Sequence, residues 1–388
     1  MKSVGIAVLC CGFLLLAGAG TTRADFDVLH EFSGWPGGGS YPKGSPTLDS
    51  GAGVLYGLTS LGGANDFGTV FSMNTDGGGY TVLHEFAGGV DDGWAPYGSL
   101  TLDPNTGLLY GMAQYGGDSD DGVVFSLDPA NPGGTFTLLH EFVGGVDDGA
   151  WPEGSLTLSG GKLYGMTYGG VDDGDSPKDS LILSGGKLYG MTSYGGDSGK
   201  GVVFSMNADG TGFDLLHEFS GGAADGDYTE GSLVMSGGKL YGMTMYGGTD
   251  DYGTVFRLNT DGSGFNVLHS FDSAVDDGYL PYSSLVVDSG RVYGMTNNGG
   301  QTWAGVIFSM GLNGSGYVIH HEFDANTAES GRPWGSLIVA GQGEFFGMTH
   351  ENWSGFNYGT VFSFDVIPEP VGLGLIGIAL LGLRKRRK

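Results

Sequence analysis

Only two cysteines occur in 388 residues, Cys10 and Cys11, adjacent within an apolar stretch near the N-terminus. Once that stretch is removed on export, the remainder has no disulfide, no thiol nucleophile and no zinc–thiolate site. Basic residues are scarce as well. Of 16 Lys and Arg, seven lie in the first 24 or the last 22 residues, whereas of 43 acids only Glu369 does. Residues 25–366 therefore carry nine cations against 42 acids, a net charge of −33. A field of that sign repels nucleic acid and anionic lipid. Catalytic signatures are missing too: there is no G-x-S-x-G and no Walker motif, and His350-Glu351-Asn352-Trp353-Ser354 fails H-E-x-x-H at its last position. Gly372, Gly374 and Gly377 have GxGxxG spacing, but they follow no strand and lie inside an apolar run, which argues against a dinucleotide site. That run, residues 371–383, would rise about 20 Å as a helix, short of the roughly 30 Å of hydrocarbon that a spanning helix crosses.

The two ends read as addresses. Lys2, the apolar residues 4–17 and the small residues leading to Thr22-Arg23-Ala24 form a secretory signal peptide over residues 1–24, with cleavage before Asp25. Too little apolar sequence precedes Cys10 for a lipobox. At the other end Pro368-Glu369-Pro370 is followed by the apolar run and then by Arg384-Lys385-Arg386-Arg387-Lys388. The basic cluster stays cytoplasmic and places everything before Pro368 outside; an unprocessed C-terminal anchor is the alternative. This order of features over residues 367–388 resembles the PEP-CTERM sorting signal of Gram-negative bacteria. The resemblance implies passage through the Sec machinery, recognition by a membrane exosortase, transient inner-membrane anchoring and delivery to the cell envelope or extracellular matrix, where exopolysaccharide is the expected partner.

Glycine and proline, 80 and 13 residues, approach the level found in disordered chains, but here they recur with a period. A [YF]G[LM][TA] motif begins at Tyr56, Tyr110, Tyr164, Tyr189, Tyr241, Tyr293 and Phe346. A G[TV][VI]F motif begins at Gly68, Gly122, Gly201, Gly253, Gly305 and Gly359, and a Leu-His-Glu-Phe-like segment centres on His30, His84, His140, His217, His269 and His321. These motifs together resemble the GloVer-type tandem repeat of exported bacterial proteins over nearly all of residues 25–366, a resemblance that implies no particular activity. Each period of about 50 residues holds four short runs rich in β-branched and aromatic residues, separated by turns such as Ser236-Gly237-Gly238. Four antiparallel strands per such period predict an all-β fold, a β-propeller.

The chain opens on a His-containing strand and closes on a Gly-Thr-Val-Phe strand, so the N-terminal strand is expected to complete the blade made by the C-terminus. Between Tyr164 and Tyr189 the spacing falls to 25, and about 27 residues, one half-blade, are missing. The favoured count is seven blades with the third truncated to a hairpin; six blades plus an extra hairpin is the alternative.

Two places are candidates for function. By strand alternation His217 shares a face with Phe213, Leu215 and Phe219, which puts the repeated imidazoles between blades, hydrogen-bonded to the next one. A ring of metal-binding histidines in the channel is the competing reading. The longer connections gather on one face and carry acids beside aromatic rings: Asp91, Asp92 and Trp94; Asp147, Asp148 and Trp151; Asp276, Asp277 and Tyr279. Such a face suits sugar stacking and hydroxyl hydrogen bonds, with calcium at the same Asp loops as a weaker expectation, since no loop has the EF-hand pattern. No other cofactor is expected. The reading is a binding or scaffolding module rather than an enzyme; the alternative is a secreted glycosidase or lyase using Asp pairs on that face. Off-pattern His320 and His350 are read as incidental, and Arg257 and Arg332 as surface ion-pair residues.

Overall fold

Among the described residues six antiparallel sheets have four strands each; in five of them strand order follows the sequence, and in the sixth the N-terminal strand lies beside the last strand of the chain. The computed structural model describes residues 23–34, 38–131, 135–145, 147–169, 175–178, 180–273, 277–350 and 358–367. The expected leader segment up to residue 22, the expected sorting segment from Pro368 to Lys388, and Asp276 lie outside them. A typical blade is the fourth: Val234–Ser236, Lys239–Thr244, Thr254–Asn259 and Asn266–Ser270. The two repeated motifs explain each other in it. Gly242 of the second strand pairs with Phe256 of the third, and a Cβ on Gly242 would strike the Phe256 ring. The glycine makes the hollow that a fully buried phenylalanine fills, a burial worth about 2–3 kcal/mol. Gly57 and Phe71, Gly111 and Phe125, Gly294 and Phe308, and Gly347 and Phe362 repeat the arrangement.

The ring closes as the sequence predicted. Arg23–Glu31 pairs antiparallel with Thr360–Ile367, from Arg23 opposite Ile367 to Glu31 opposite Thr360, and supplies the fourth strand of the last blade. Around the axis the segments preceding the first strands are stitched by serines: Ser45 N–H donates to Ser99 Oγ, Ser99 N–H to Ser155 Oγ, and Ser180, Ser232 and Ser284 continue the pattern to Ser336. Ser336 N–H then donates to Ser45 Oγ at 2.7 Å, joining the last blade to the first. The chain is a β-propeller.

The count of seven blades does not hold. Among the described residues four-stranded blades number six, and the short repeat forms a two-stranded hairpin, Thr157–Ser159 with Lys162–Tyr164. The hairpin is tied into the inner ring on both sides, because Thr101 Oγ1 donates to Leu156 O and Thr157 Oγ1 to Leu181 O.

A second correction concerns alternation. The outer strand bulges in every blade: Val203 is opposite His217 but Phe204 is opposite Leu215, leaving Leu216 as the extra residue. The bulge reverses the facing of the residues beyond it. His217 and Phe219 pack on Phe265 of the next blade, while Phe213 stacks on Phe204 of its own. The histidines do lie between blades, but their hydrogen bonds do not reach the next blade.

Candidate functional site

In the interblade connections the acid before the glycine, at Asp92, Asp148, Asp225 and Asp277, turns toward a histidine of the preceding strand. Asp92 is buried, accepting from Ala87 N–H and Gly93 N–H and lying 3.1 Å from His84 Nε2. Asp148 meets His140 at 2.8 Å, Asp225 meets His217 at 3.0 Å, and Asp277 meets His269 at 3.0 Å. Glu329 does the same for His321. Asp92, Asp148 and Asp277 therefore clamp the start of each interblade connection and are withdrawn from the ligand face. Burial would raise the Asp225 carboxyl, but bonds from His217, Ser220 and Gly226 outweigh it and hold it below the usual carboxylate value.

The remaining predicted rim residues divide. Asp91 and Asp147 are exposed. Trp94 stacks on Tyr115 at 4.1 Å and donates to Asp120, and Tyr279 contacts Tyr252 and Trp303. Trp151 stays exposed beside Tyr168. Among the described residues no three His, Cys, Asp or Glu side chains are placed to hold a metal ion.

The same face has a second feature, which lies outside the repeated motifs. Two residues before each stitching serine stand Lys43, Tyr97, Glu153, Lys178, Glu230, Tyr282 and Trp334, and all seven line one cavity of 680 Å³ on the axis. The volume lies in the range of small-molecule sites, about 300–1,000 Å³. Every repeat keeps the serine, and this neighbour changes from repeat to repeat. A second variable position follows each [YF]G[LM][TA] motif: Ser60, Gln114, Tyr168, Ser193, Met245, Asn297 and His350. Lining up the repeats would have exposed both, because a constant frame makes the varying positions visible.

Convergence at the axis is imposed by glycine and by backbone strain. A Cβ on Gly44 would collide with the Gly98 carbonyl, and one on Gly335 with the Gly44 carbonyl. Just outside, Tyr41, Ala95, Trp151, Ser176, Tyr228, Leu280 and Arg332 all adopt φ of 50–56°. Left-handed non-glycine residues cost about 1 kcal/mol or more each and gather at functional sites. Here each N–H or carbonyl is used: Tyr228 N–H donates to Lys200 O of the preceding blade, and its carbonyl accepts from Met245 N–H.

The mouth has two unlike halves. In one, Lys178 Nζ lies 2.7 Å from Glu153, whose other oxygen accepts from Gln114. Burial disfavours the Lys178 charge, but hydrogen bonds to Glu153 and Tyr168 and the nearby Glu230 prevail and raise its pKa. In the other, Lys43 Nζ stands 3.4 Å from the Tyr97 ring centroid and 4.7 Å from that of Trp334. Trp334 is stacked between Tyr282 at 5.1 Å and His350 at 5.0 Å. Burial lowers the Lys43 ammonium to about 8. Burial, with Lys43 and Arg332 nearby, lowers His350 to about 3, so this imidazole is neutral. His350 is thus buried behind the mouth against Trp334 rather than incidental, with the half-buried Arg332 close enough to act on it. Arg257 donates to the Leu312 carbonyl of the following blade, and His320 Nε2 lies 2.7 Å from Ser309 Oγ at the bulge.

The repeat itself has relatives. The Gloeobacter/Verrucomicrobia repeat matches twice, over residues 17–176 and 176–370. The chain belongs to that family. No curated protein matches it. Solved structures similar to this member of the repeat family include the Niastella koreensis GH74 enzyme, at 16% identity over 76% of this chain and 46% of that one, TM-score 0.47. A nidogen/laminin complex aligns at 14% identity over 75% and 82% of the two chains, TM-score 0.41. A putative TolB from Agrobacterium tumefaciens aligns at 13% over 89% and 100%, TM-score 0.39. At these values the neighbours carry no argument about what this repeat protein binds.

Proposed function

We propose that this protein is an exported binding module that holds a saccharide at the mouth of its central channel. One observation carries the reading: the positions that differ between otherwise uniform repeats converge on one cavity, and they include Tyr97, Tyr282 and Trp334 beside paired charged and amide groups. Aromatic faces with a few directed polar groups are what sugar rings require, apolar C–H faces against π-systems and hydroxyls against carboxylates and amides. The leader of residues 1–24 and the PEP-CTERM-like tail of residues 367–388 supply the route: Sec export, exosortase recognition, and a place in the envelope or matrix beside exopolysaccharide. Asp91, Asp147 and Trp151 remain on the same face as an outer contact zone, where calcium would have to act if it contributes.

A glycan array probed with the protein, with and without Ca²⁺, tests the binding reading; retention lost on Trp334→Ala supports it, and no retention of any glycan removes it. Mass spectrometry of the protein from its own cells tests the sorting reading, which requires a mature form lacking Arg384 to Lys388. The glycosidase alternative is not favoured, since Asp92, Asp148 and Asp277 are committed to histidines.

A further inference from the structure

The channel mouth does not share the acidic charge of the molecule. Residues 25–366 hold nine cations against 42 acids, yet the lining of this cavity balances two cations, Lys43 and Lys178, against two acids, Glu153 and Glu230. Lys178 is bound to Glu153 and further offset by Glu230. Lys43 is different. Among the described residues no carboxylate is ion-paired with it and its ammonium makes no hydrogen bond; it is held over two aromatic faces. An ammonium has three donors, and leaving them unspent in a half-buried site is costly unless something else uses them. A cation–π contact satisfies charge but not directed hydrogen bonding. The group that answers both needs is an anionic oxygen arriving with the ligand. Beside it Tyr97, Tyr282 and Trp334 line the same cavity and supply the apolar wall against which the remainder of that ligand would pack.

We propose that the channel mouth selects acidic saccharides, sugars bearing a carboxylate, with Lys43 as the residue that reads the carboxylate and the cavity-lining Trp334 as part of the aromatic wall beside it. The proposal rests on the saccharide reading above and narrows it. The groups acting on Lys43 are Glu153 and Glu230, which favour its charge, and Lys178, which opposes it; the neutral His350 lies against Trp334 on the other side. Because burial brings the Lys43 ammonium down to about 8, selectivity should fade at alkaline pH while a uronate stays ionised throughout.

The test is calorimetric titration of the full chain with a uronate trisaccharide and with its carboxyl-reduced, neutral counterpart. The expected result is at least tenfold tighter binding of the uronate at pH 6.5, falling toward equality by pH 9.5. In Lys43→Gln the uronate should bind no better than the neutral sugar, with Lys43→Arg retaining the preference; a thermal melt of each variant shows that it folds. Equal binding of both sugars by the unaltered protein overturns the acidic preference and leaves the saccharide reading standing. Binding of neither sugar overturns the saccharide reading itself. Competition by acetate as effective as by the uronate shows an anion site without sugar recognition, and overturns the proposal as stated.

Discussion

His217 and Phe265 lie face to face across a boundary between blades, ring centroids 3.7 Å apart and planes within 6° of parallel. The same pair recurs as His84 with Phe136, His269 with Tyr317, His321 with Phe26 and His30 with Tyr80. Each of these five histidines is thus fixed by a stacked ring from the following blade, and four of them are also fixed by an acid from their own outgoing loop. The repeated Leu-His-Glu-Phe segment is therefore a joint between blades, and the function of the joint is mechanical.

The truncated repeat breaks this series at one place. His140 has its acid, Asp148, but the hairpin offers no outer strand to stack on it, and its side chain is 48% exposed. On the far side Phe213 is left without a histidine and is 37% exposed. Phe265→Ala should cost about 3–4 kcal/mol in denaturant unfolding, whereas Phe213→Ala, at the equivalent position, should cost under about 1 kcal/mol. Equal losses would mean that stacking on histidine adds nothing.

Removing the acid tests the other half of the joint. Asp225→Ala strands His217 Nε2, Ser220 N–H and Gly226 N–H, and should lower stability at pH 7 by about 2–3 kcal/mol. The folded carboxyl titrates below its unfolded value of 3.8. Its contribution is therefore complete above that value and is lost as pH falls through the folded pKa. The difference between wild type and variant should shrink in that acid window; a difference constant down to pH 2 would exclude the ionised carboxylate as its source.

Lys43 should behave oppositely. Its folded pKa of about 8 lies below the unfolded 10.5, so burial of the charge weakens the fold at all pH values below 8, and the penalty lifts as pH rises to 10.5. Cation–π attraction to Tyr97 and Trp334 offsets part of it. Lys43→Met is expected to gain about 1–2 kcal/mol at pH 7 and nothing at pH 10.5, as read from melting temperatures. A destabilised variant at pH 7 would show that the ammonium is held there for the fold and not for a ligand.

Glycine at the axis and glycine in the turns should answer differently to the same change. Gly44→Ala drives a methyl group into the Gly98 carbonyl and should prevent closure, visible as loss of the cooperative unfolding transition. Gly185→Ala meets nothing within 4 Å, although φ there is +59°, and should cost about 1 kcal/mol through backbone strain alone.

By itself the sequence determined the strands, their order and the way the ring shuts. The Gly242–Phe256 pairing and the terminal seam follow from local motifs that recur, and recurrence makes a weak local signal strong. Three matters were left to tertiary structure. The bulge at Leu216 adds one residue to the outer strand and so reverses which side chains face the neighbour, something alternation counting cannot sense. The inward turn of Asp92 and Asp277 depends on a histidine eight residues earlier, which becomes adjacent only when the connection folds back over the outer strand. The gathering of Lys43, Tyr97, Trp334 and His350 depends on closure, since residues up to about 300 positions apart become neighbours only because a ring has a single axis. Periodicity is written along the chain, but a site on the axis exists only once the ends meet.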